Sequence, residues 1–341
     1  MRFVFRRLAE LAFFTVAGLG AARAQSVENF YKNKQLTMIV YAGAGSPYDV
    51  YARLLAKYLP EYLPGKPGII IQYMVGAGGL KAVDYMNRIA PRDGSLIGTI
   101  GRGLPFEPML GAHDVNWDPL QFTWIGSMNS EASLAMSWNT SSVKTLDDLK
   151  KMEMMVPGTG VGADSEIIPR AINTLAGTKF KIISGYKDTN AAALAMESGE
   201  IAGISYWAIS SLMVVHPDWV RDKKINILFQ TGSTDISFLP GLPKIRDSIT
   251  DPIDRKALDF LLAREVIGRP FVAPPGLPAD RTKALRDAFA ASMGDPELKK
   301  DAERARMGID LVTGEQIDAL LKDAANSPPE VLERVKQALG R

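Results

Sequence analysis

Between residues 36 and 59 the hydrophobic pattern changes period. Thr37-Met38-Ile39-Val40-Tyr41 is a short apolar run with β-branched members, the signature of a buried strand. Ala42-Gly43-Ala44-Gly45-Ser46-Pro47 interrupts it, and Val50, Leu54, Leu55 and Tyr58 then recur on one helix face. A strand, a small-residue loop and a helix start gather backbone N–H groups at the positive end of a helix dipole, which suits an anion. Many α/β folds contain such a turn with no ligand, so this stretch alone leaves both readings open.

The pattern then repeats. Pro60 and Pro64 are expected to stop the first helix. Gly68-Ile69-Ile70-Ile71-Gln72-Tyr73 reads as a strand, Val75-Gly76-Ala77-Gly78-Gly79 as a second glycine loop, and residues 80–89 as a helix. Asp93-Gly94 is a turn and Leu96-Ile97-Gly98-Thr99-Ile100 a third strand. Three strands alternating with two helices predict a βαβαβ unit with a parallel sheet. Ligands in such sheets sit beyond the carboxyl ends of the strands, where the loops at 42–48, 75–79 and 101–105 emerge.

A second α/β unit follows a polar, turn-rich segment at 113–124. Strands are predicted at 133–138, 154–156, 179–184, 201–206 and 225–229. Thr145-Leu146-Asp147-Asp148 reads as a capping box. Pro157-Gly158-Thr159-Gly160-Val161-Gly162 supplies a third glycine loop before a helix at 165–175. Beyond Gly241 a strand is predicted at 264–272. Helices at 279–293, 296–306, 314–322 and 328–339 have charged outer faces and are expected to pack on the first unit.

The length of 341 residues fits two domains, and 46% hydrophobic with 23% charged residues is the composition of a globular protein. Residues 1–24 are expected to be a signal peptide: Arg2, Arg6 and Arg7 precede a short apolar run at 11–22, and Ala22-Arg23-Ala24 is a small-x-small cleavage site. Their removal takes away four of the 40 basic and one of the 38 acidic side chains, turning a net charge of +2 into −1. No basic field remains to favour nucleic acid. The absence of cysteine excludes disulfides, thiol nucleophiles and thiolate metal sites. An exported, cysteine-free chain of this size suits a periplasm.

Signals for catalysis are thin. The two histidines, His113 and His216, have no partner at a spacing that suggests a metal site or a nucleophile–base pair. Gly158-x-Gly160-x-x-Ala163 matches the dinucleotide fingerprint loosely, without the acidic residue that ribose recognition requires about 20 residues on. Ser141-x-x-Lys144 matches a serine β-lactamase motif by letter only. No cofactor and no metal is expected. Three glycine loops at strand ends, in two α/β units of an exported chain, fit a two-lobed solute-binding protein whose closure traps a ligand.

Residues 39–55, IVYAGAGSPYDVYARLL, resemble the signature of the substrate-binding proteins of tripartite tricarboxylate transporters, the Bug or TctC family. Gly76-Ala77-Gly78-Gly79, Pro91-x-Asp93-Gly94, Gly160-x-Gly162, Gly185-Tyr186-Lys187, Leu194-Ala195-Met196-Glu197-x-Gly199-Glu200 and Pro274-Pro275-Gly276-Leu277-Pro278 match later stretches in order. The resemblance implies an α/β, type II (Venus-flytrap) periplasmic-binding-protein fold with a cleft between two βα domains. Lobe 1 would comprise residues 25–127 and 233–341, and lobe 2 residues 128–232. It further implies a monomer, without catalysis, that captures a small organic carboxylate and delivers it to membrane permease subunits. A sensor subunit for a membrane kinase, or a periplasmic enzyme acting on an organic acid, are the alternatives.

Carried over residue by residue, the ligand-binding set is Ala44, Gly45, Ser46, Tyr48, Asp49, Gly76, Ala77, Gly78 and Gly79, with Thr159, Gly160, Gly162 and Tyr206 from the second lobe. Pro47 and Tyr48 depart from the family pattern of glycine and a small residue, which implies a reshaped pocket. Arg102 follows the third strand: directed inward it would grip a carboxylate in a bidentate fork, directed outward it is a surface arginine. Asp49 is expected to cap its helix before it contacts any ligand. Tyr206 and Trp207 would stack on an aromatic acid or serve the core.

Overall fold

A computed structural model describes residues 26–111, 115–160, 162–232, 236 and 239–341. The expected signal peptide and His113 lie outside the described residues. Helix α1 (Val27–Tyr31) leads into β1 (Gln35–Val40), α2 (Pro47–Tyr62), β2 (Gly68–Tyr73), α3 (Leu80–Arg88) and β3 (Leu96–Thr99). Strand β1 pairs in parallel with both neighbours, Met38 lying opposite Ile71 on one side and Ile97 on the other. Met38, Ile39 and Val40 are fully buried, as a central parallel strand covered on both faces requires. Pro60 does not stop α2. It sits in the last turn, where its missing N–H removes a single helical bond, and the helix ends at Tyr62 ahead of Leu63-Pro64.

The middle of the chain builds β4 (Thr123–Ser127), β5 (Ser133–Trp138), α4 (Leu146–Lys151), β6 (Met154–Gly158), α5 (Asp164–Ala176), β7 (Phe180–Ser184), α6 (Thr189–Glu197), β8 (Gly203–Ala208), α7 (Ile209–Val215), α8 (Pro217–Arg221) and β9 (Ile225–Gln230). Thr145 and Asp148 close the predicted capping box on α4. The last part adds α9 (Pro252–Leu262), β10 (Pro270–Ala273), α10 (Ala279–Gly294), α11 (Pro296–Arg304), β11 (Val312–Thr313), α12 (Gly314–Ala325) and α13 (Pro329–Leu339).

One sheet has the order β11-β4-β10-β3-β1-β2, so early and late parts of the chain share it. The middle segment forms a separate sheet β8-β5-β9 and a parallel pair β6-β7. The chain passes between these two bodies after β4 and again after β9.

Two elements of the last part differ from the sequence expectation. No strand starts at Arg264. Residues Ala263–Ile267 form a 3-10 turn, because Arg264 and Glu265 turn into the interior: Arg264 Nε donates to the Leu261 carbonyl at 2.8 Å, and the Glu265 carbonyl accepts from the Glu131 N–H at 2.7 Å. The final helix packs on the first unit mainly at residues 108–110. While α10 and α12 pack on β4, α13 packs on α9 and on α5 of the middle segment. Its buried Val331, Val335, Ala338 and Leu339 share one apolar cluster with Ile168 and Ile172 of α5.

Where the two bodies meet, the interior is polar. Glu131, just before β5, accepts hydrogen bonds from Asn129 Nδ2 at 2.9 Å and the Ser210 N–H at 2.9 Å, and lies 3.8 Å from Arg269. Arg269 donates to Ser210 Oγ at 2.9 Å and Ser211 Oγ at 2.7 Å. Glu265 accepts from the Tyr206 hydroxyl at 2.9 Å and from the Thr231 hydroxyl. Burial pushes the Glu265 carboxyl up to about 7, against the opposing pull of Arg102 and these hydrogen bonds.

A carboxyl whose pKa rises on folding from 4.5 to about 7 stabilises the fold fully below the unfolded value, and that stability is lost as pH rises through 7. Between pH 5 and pH 8 this group is expected to withdraw about 2–3 kcal/mol. Urea unfolding of Glu265→Gln should show the pH 5 to pH 8 stability difference shrunk by that amount, and an unchanged difference would contradict the assignment.

Candidate functional site

A cavity of about 470 Å3 opens between the two bodies. Its first wall comes from the loops after β1, β2 and β3, its second from the loops after β6 and β7 and from the end of β8. All three loops of the first wall leave the carboxyl ends of parallel strands, where α/β folds place ligands.

The loop after β1 is closed by hydrogen bonds to its own residues. Ser46 is the N-cap of α2 and its hydroxyl accepts from the Asp49 N–H at 3.3 Å. The Asp49 carboxylate accepts from the Gly45 N–H at 2.8 Å, Arg53 Nε at 3.0 Å and the Tyr73 hydroxyl at 2.7 Å. Burial raises its pKa, but these donors outweigh burial and hold it below the usual carboxylate value. Asp49 therefore organises the loop from beneath. Ser46 and Tyr48 line the cavity, whereas Ala44, Gly45 and Asp49 lie off its wall.

The loop after β2 is arranged in the opposite way. Gly76, Ala77, Gly78 and Gly79 all have positive φ, and α3 begins with no side-chain cap. All four residues face the cavity. Gly79 is required here: its φ is +100°, and a Cβ would lie 2.7 Å from the Tyr41 ring. Across the cavity α5 also begins without a side-chain cap, at Ala163. Two helix N-termini thus point into one space from opposite bodies.

The second wall brings Thr159, Gly160, Gly162 and Tyr206 to the cavity. The Thr159 N–H donates to Ser165 Oγ at 3.0 Å and the Gly160 N–H to Glu166 Oε1 at 3.2 Å. A Cβ on Gly160 would lie 3.6 Å from the Gly78 nitrogen, so the two glycine loops approach backbone to backbone across the cleft.

Arg102 turns inward and is 4% exposed. Its Nε is 3.0 Å from Asp164 Oδ2, its Nη2 donates to Ser133 Oγ at 2.7 Å, and its guanidinium lies 5.0 Å from the Tyr206 ring centre. Asp164 is the first residue of α5, and its other oxygen accepts from Arg264 Nη1 at 2.7 Å. Burial pushes the Asp164 carboxyl up, while Arg264 and Arg102 together outweigh it and hold the group below its ordinary value. Arg269 extends the cluster, its guanidinium 4.8 Å from the Tyr48 ring centre and 5.1 Å from that of Tyr51. Tyr48 packs edge-on against Tyr41 with ring centres 4.7 Å apart.

Sequence reasoning missed Asp164, Arg264, Glu265 and Arg269. Asp164 left one usable signal, an acidic residue in the first turn after a glycine loop. Arg264, Glu265 and Arg269 read as the charged positions of a strand and gave no sign of burial. Trp207 lines the cavity beside Tyr206, and both are buried. His216 is stacked on Trp219 with ring centres 4.1 Å apart, and it is not among the residues lining the cavity. Among the described residues no group of three or more histidine, aspartate or glutamate side chains is placed to hold a metal.

No protein-family model matches the chain, and no curated protein sequence does. Solved structures match its fold along most of its length. The periplasmic binding protein BugD superposes with a TM-score of 0.70 at 19% identity, over 90% of this chain and 98% of that one. MatC from Rhodopseudomonas palustris with bound malate gives 0.69 at 16% identity, over 89% and 99%. A further R. palustris protein, solved with adipate, gives 0.70 at 16% identity, over 90% and 98%. The chain has the two-lobed α/β architecture of type II periplasmic solute-binding proteins.

Proposed function

We propose that the protein is an extracytoplasmic solute-binding protein, without catalysis of its own, that captures a small organic carboxylate between its lobes. The observation that carries this reading is the pair of uncapped helix N-termini, α3 and α5, that open onto one cavity from opposite lobes. A carboxylate between them would accept backbone hydrogen bonds from both sides, so its binding would favour the closed arrangement. Arg102 adds a buried cation in the same wall. Similarly folded proteins solved with malate and with adipate support the ligand class. The residues proposed to contact the ligand are those of the predicted set that line the cavity, while Ala44, Gly45 and Asp49 hold the first loop in shape.

Delivery to the membrane subunits of a tripartite tricarboxylate-type transporter completes the proposal, with residues 25–127 and 233–341 as one lobe and 128–232 as the other. The protein would act as a periplasmic monomer after removal of residues 1–24.

A thermal-shift screen of mono-, di- and tricarboxylates at millimolar concentration should produce saturable stabilisation by at least one acid. At 100 times its Kd a ligand adds about 2.7 kcal/mol, a shift of a few degrees. A screen in which no acid stabilises the protein would count against the reading.

Gly79→Ala should lower stability by about 1–3 kcal/mol through its left-handed backbone. By displacing Tyr41 from the cavity wall it should also weaken binding of the same acid in calorimetry. Unchanged affinity in a folded variant would remove the second loop from the site.

A further inference from the structure

The charges in the cavity wall restrict what kind of acid it can hold. Three cationic side chains, Arg102, Arg269 and Lys187, line it together with two anionic ones, Asp164 and Asp188. Asp164 already occupies Arg102 and also Arg264 behind the wall. Arg269 faces Glu131 at 3.8 Å. Lys187 stands beside Asp188 in the chain and in the wall. The lining is left with one net positive charge.

Three lining side chains keep a buried N–H without a partner among the described residues, and the one on Arg102 lies on the cation that Asp164 holds; the other two are Arg269 Nε and Trp207 Nε1. Arg102 Nη1 is buried and has no hydrogen-bond partner among the described residues, although Nε and Nη2 of the same guanidinium are engaged. Much of the remaining wall consists of rings and apolar groups: Tyr41, Tyr48, Leu104, Ile204, Tyr206 and Trp207. A carboxylate placed against these groups loses its hydration and finds no cation among them.

We propose that the cavity selects a monocarboxylate with an apolar, ring-sized body and rejects a second carboxylate, with Asp164 as the residue that sets this preference. The inference rests on the carboxylate-binding reading above. Asp164 holds the place that a ligand's second carboxylate would take on Arg102. Its charge therefore acts twice: it satisfies the guanidinium pair and repels a competing anion. Loss of that charge would leave the Arg102 guanidinium, in the wall, to a second ligand carboxylate.

Calorimetry with matched probes tests this. Phenylacetate and hexanoate carry one carboxylate, 1,4-phenylenediacetate and adipate carry two, and phenylacetamide carries none. The wild-type protein should bind each monoacid at least tenfold more tightly than its diacid partner. Asp164→Asn should cut that ratio to threefold or less by strengthening diacid binding. A wild-type preference for the diacids overturns the inference while leaving the carboxylate reading intact. So does a folded Asp164→Asn protein with an unchanged ratio. Phenylacetamide binding as tightly as phenylacetate, or no binding by any probe, overturns both. If Asp164→Asn fails to fold, the wild-type ratios decide the matter.

Discussion

The Asp164 carboxylate between two guanidiniums is the contact on which the arrangement of this cleft depends. It comes from the first turn of α5 in the middle segment, while Arg102 and Arg264 belong to the parts of the chain that build the other body. Two arginines buried without an anion would carry a desolvation penalty of several kcal/mol each. Asp164 removes much of that penalty and ties the two bodies across the cavity. An ion pair of this kind specifies a relative orientation more than it adds net stability, since both charges leave water to form it. It also fixes Arg102 in the wall, where Ser133 and the Tyr206 ring complete its surroundings.

The rest of the junction follows the same logic. Glu131 faces Arg269, and Arg269 lies against Tyr48 and Tyr51. Glu265 is the exception: it has two hydroxyl donors and Arg102 nearby, yet burial dominates and its proton is held up to about neutral pH. Each charged group at this junction thus faces an opposite charge or hydroxyl donors, while single atoms such as Asn129 Oδ1 and Arg264 Nη2 stay without a partner among the described residues. The apolar cluster joining α5, α9 and α13 supplies non-directional burial on one side of the same boundary.

Much of the first lobe was legible in the sequence because its information is local. The run from Thr37 to Tyr41, the glycine loop and the spacing of Leu54, Leu55 and Tyr58 report strand, turn and helix within a few dozen residues. The glycines at 76, 78 and 79 likewise announced a backbone that other residues rarely adopt. The charge cluster was not legible, because its contacts join residues 62 and 100 positions apart. Pattern reading placed Arg264 in a strand, since a buried arginine and an exposed one look alike in one sequence. Pro60 was read as a helix stop because its position in the final turn, where it is tolerated, depends on where the helix ends. The packing of α13 on α5 was hidden for a similar reason: an amphipathic helix shows that it has a buried face, not which surface covers that face.

The central claim is that the cleft exists to hold one small organic anion. Native mass spectrometry of the protein purified from its own host, followed by release and identification of the bound molecule, tests this most directly. The account predicts a single acid at one per chain, dissociating when the protein is unfolded. A neutral or cationic compound bound at that stoichiometry would contradict it.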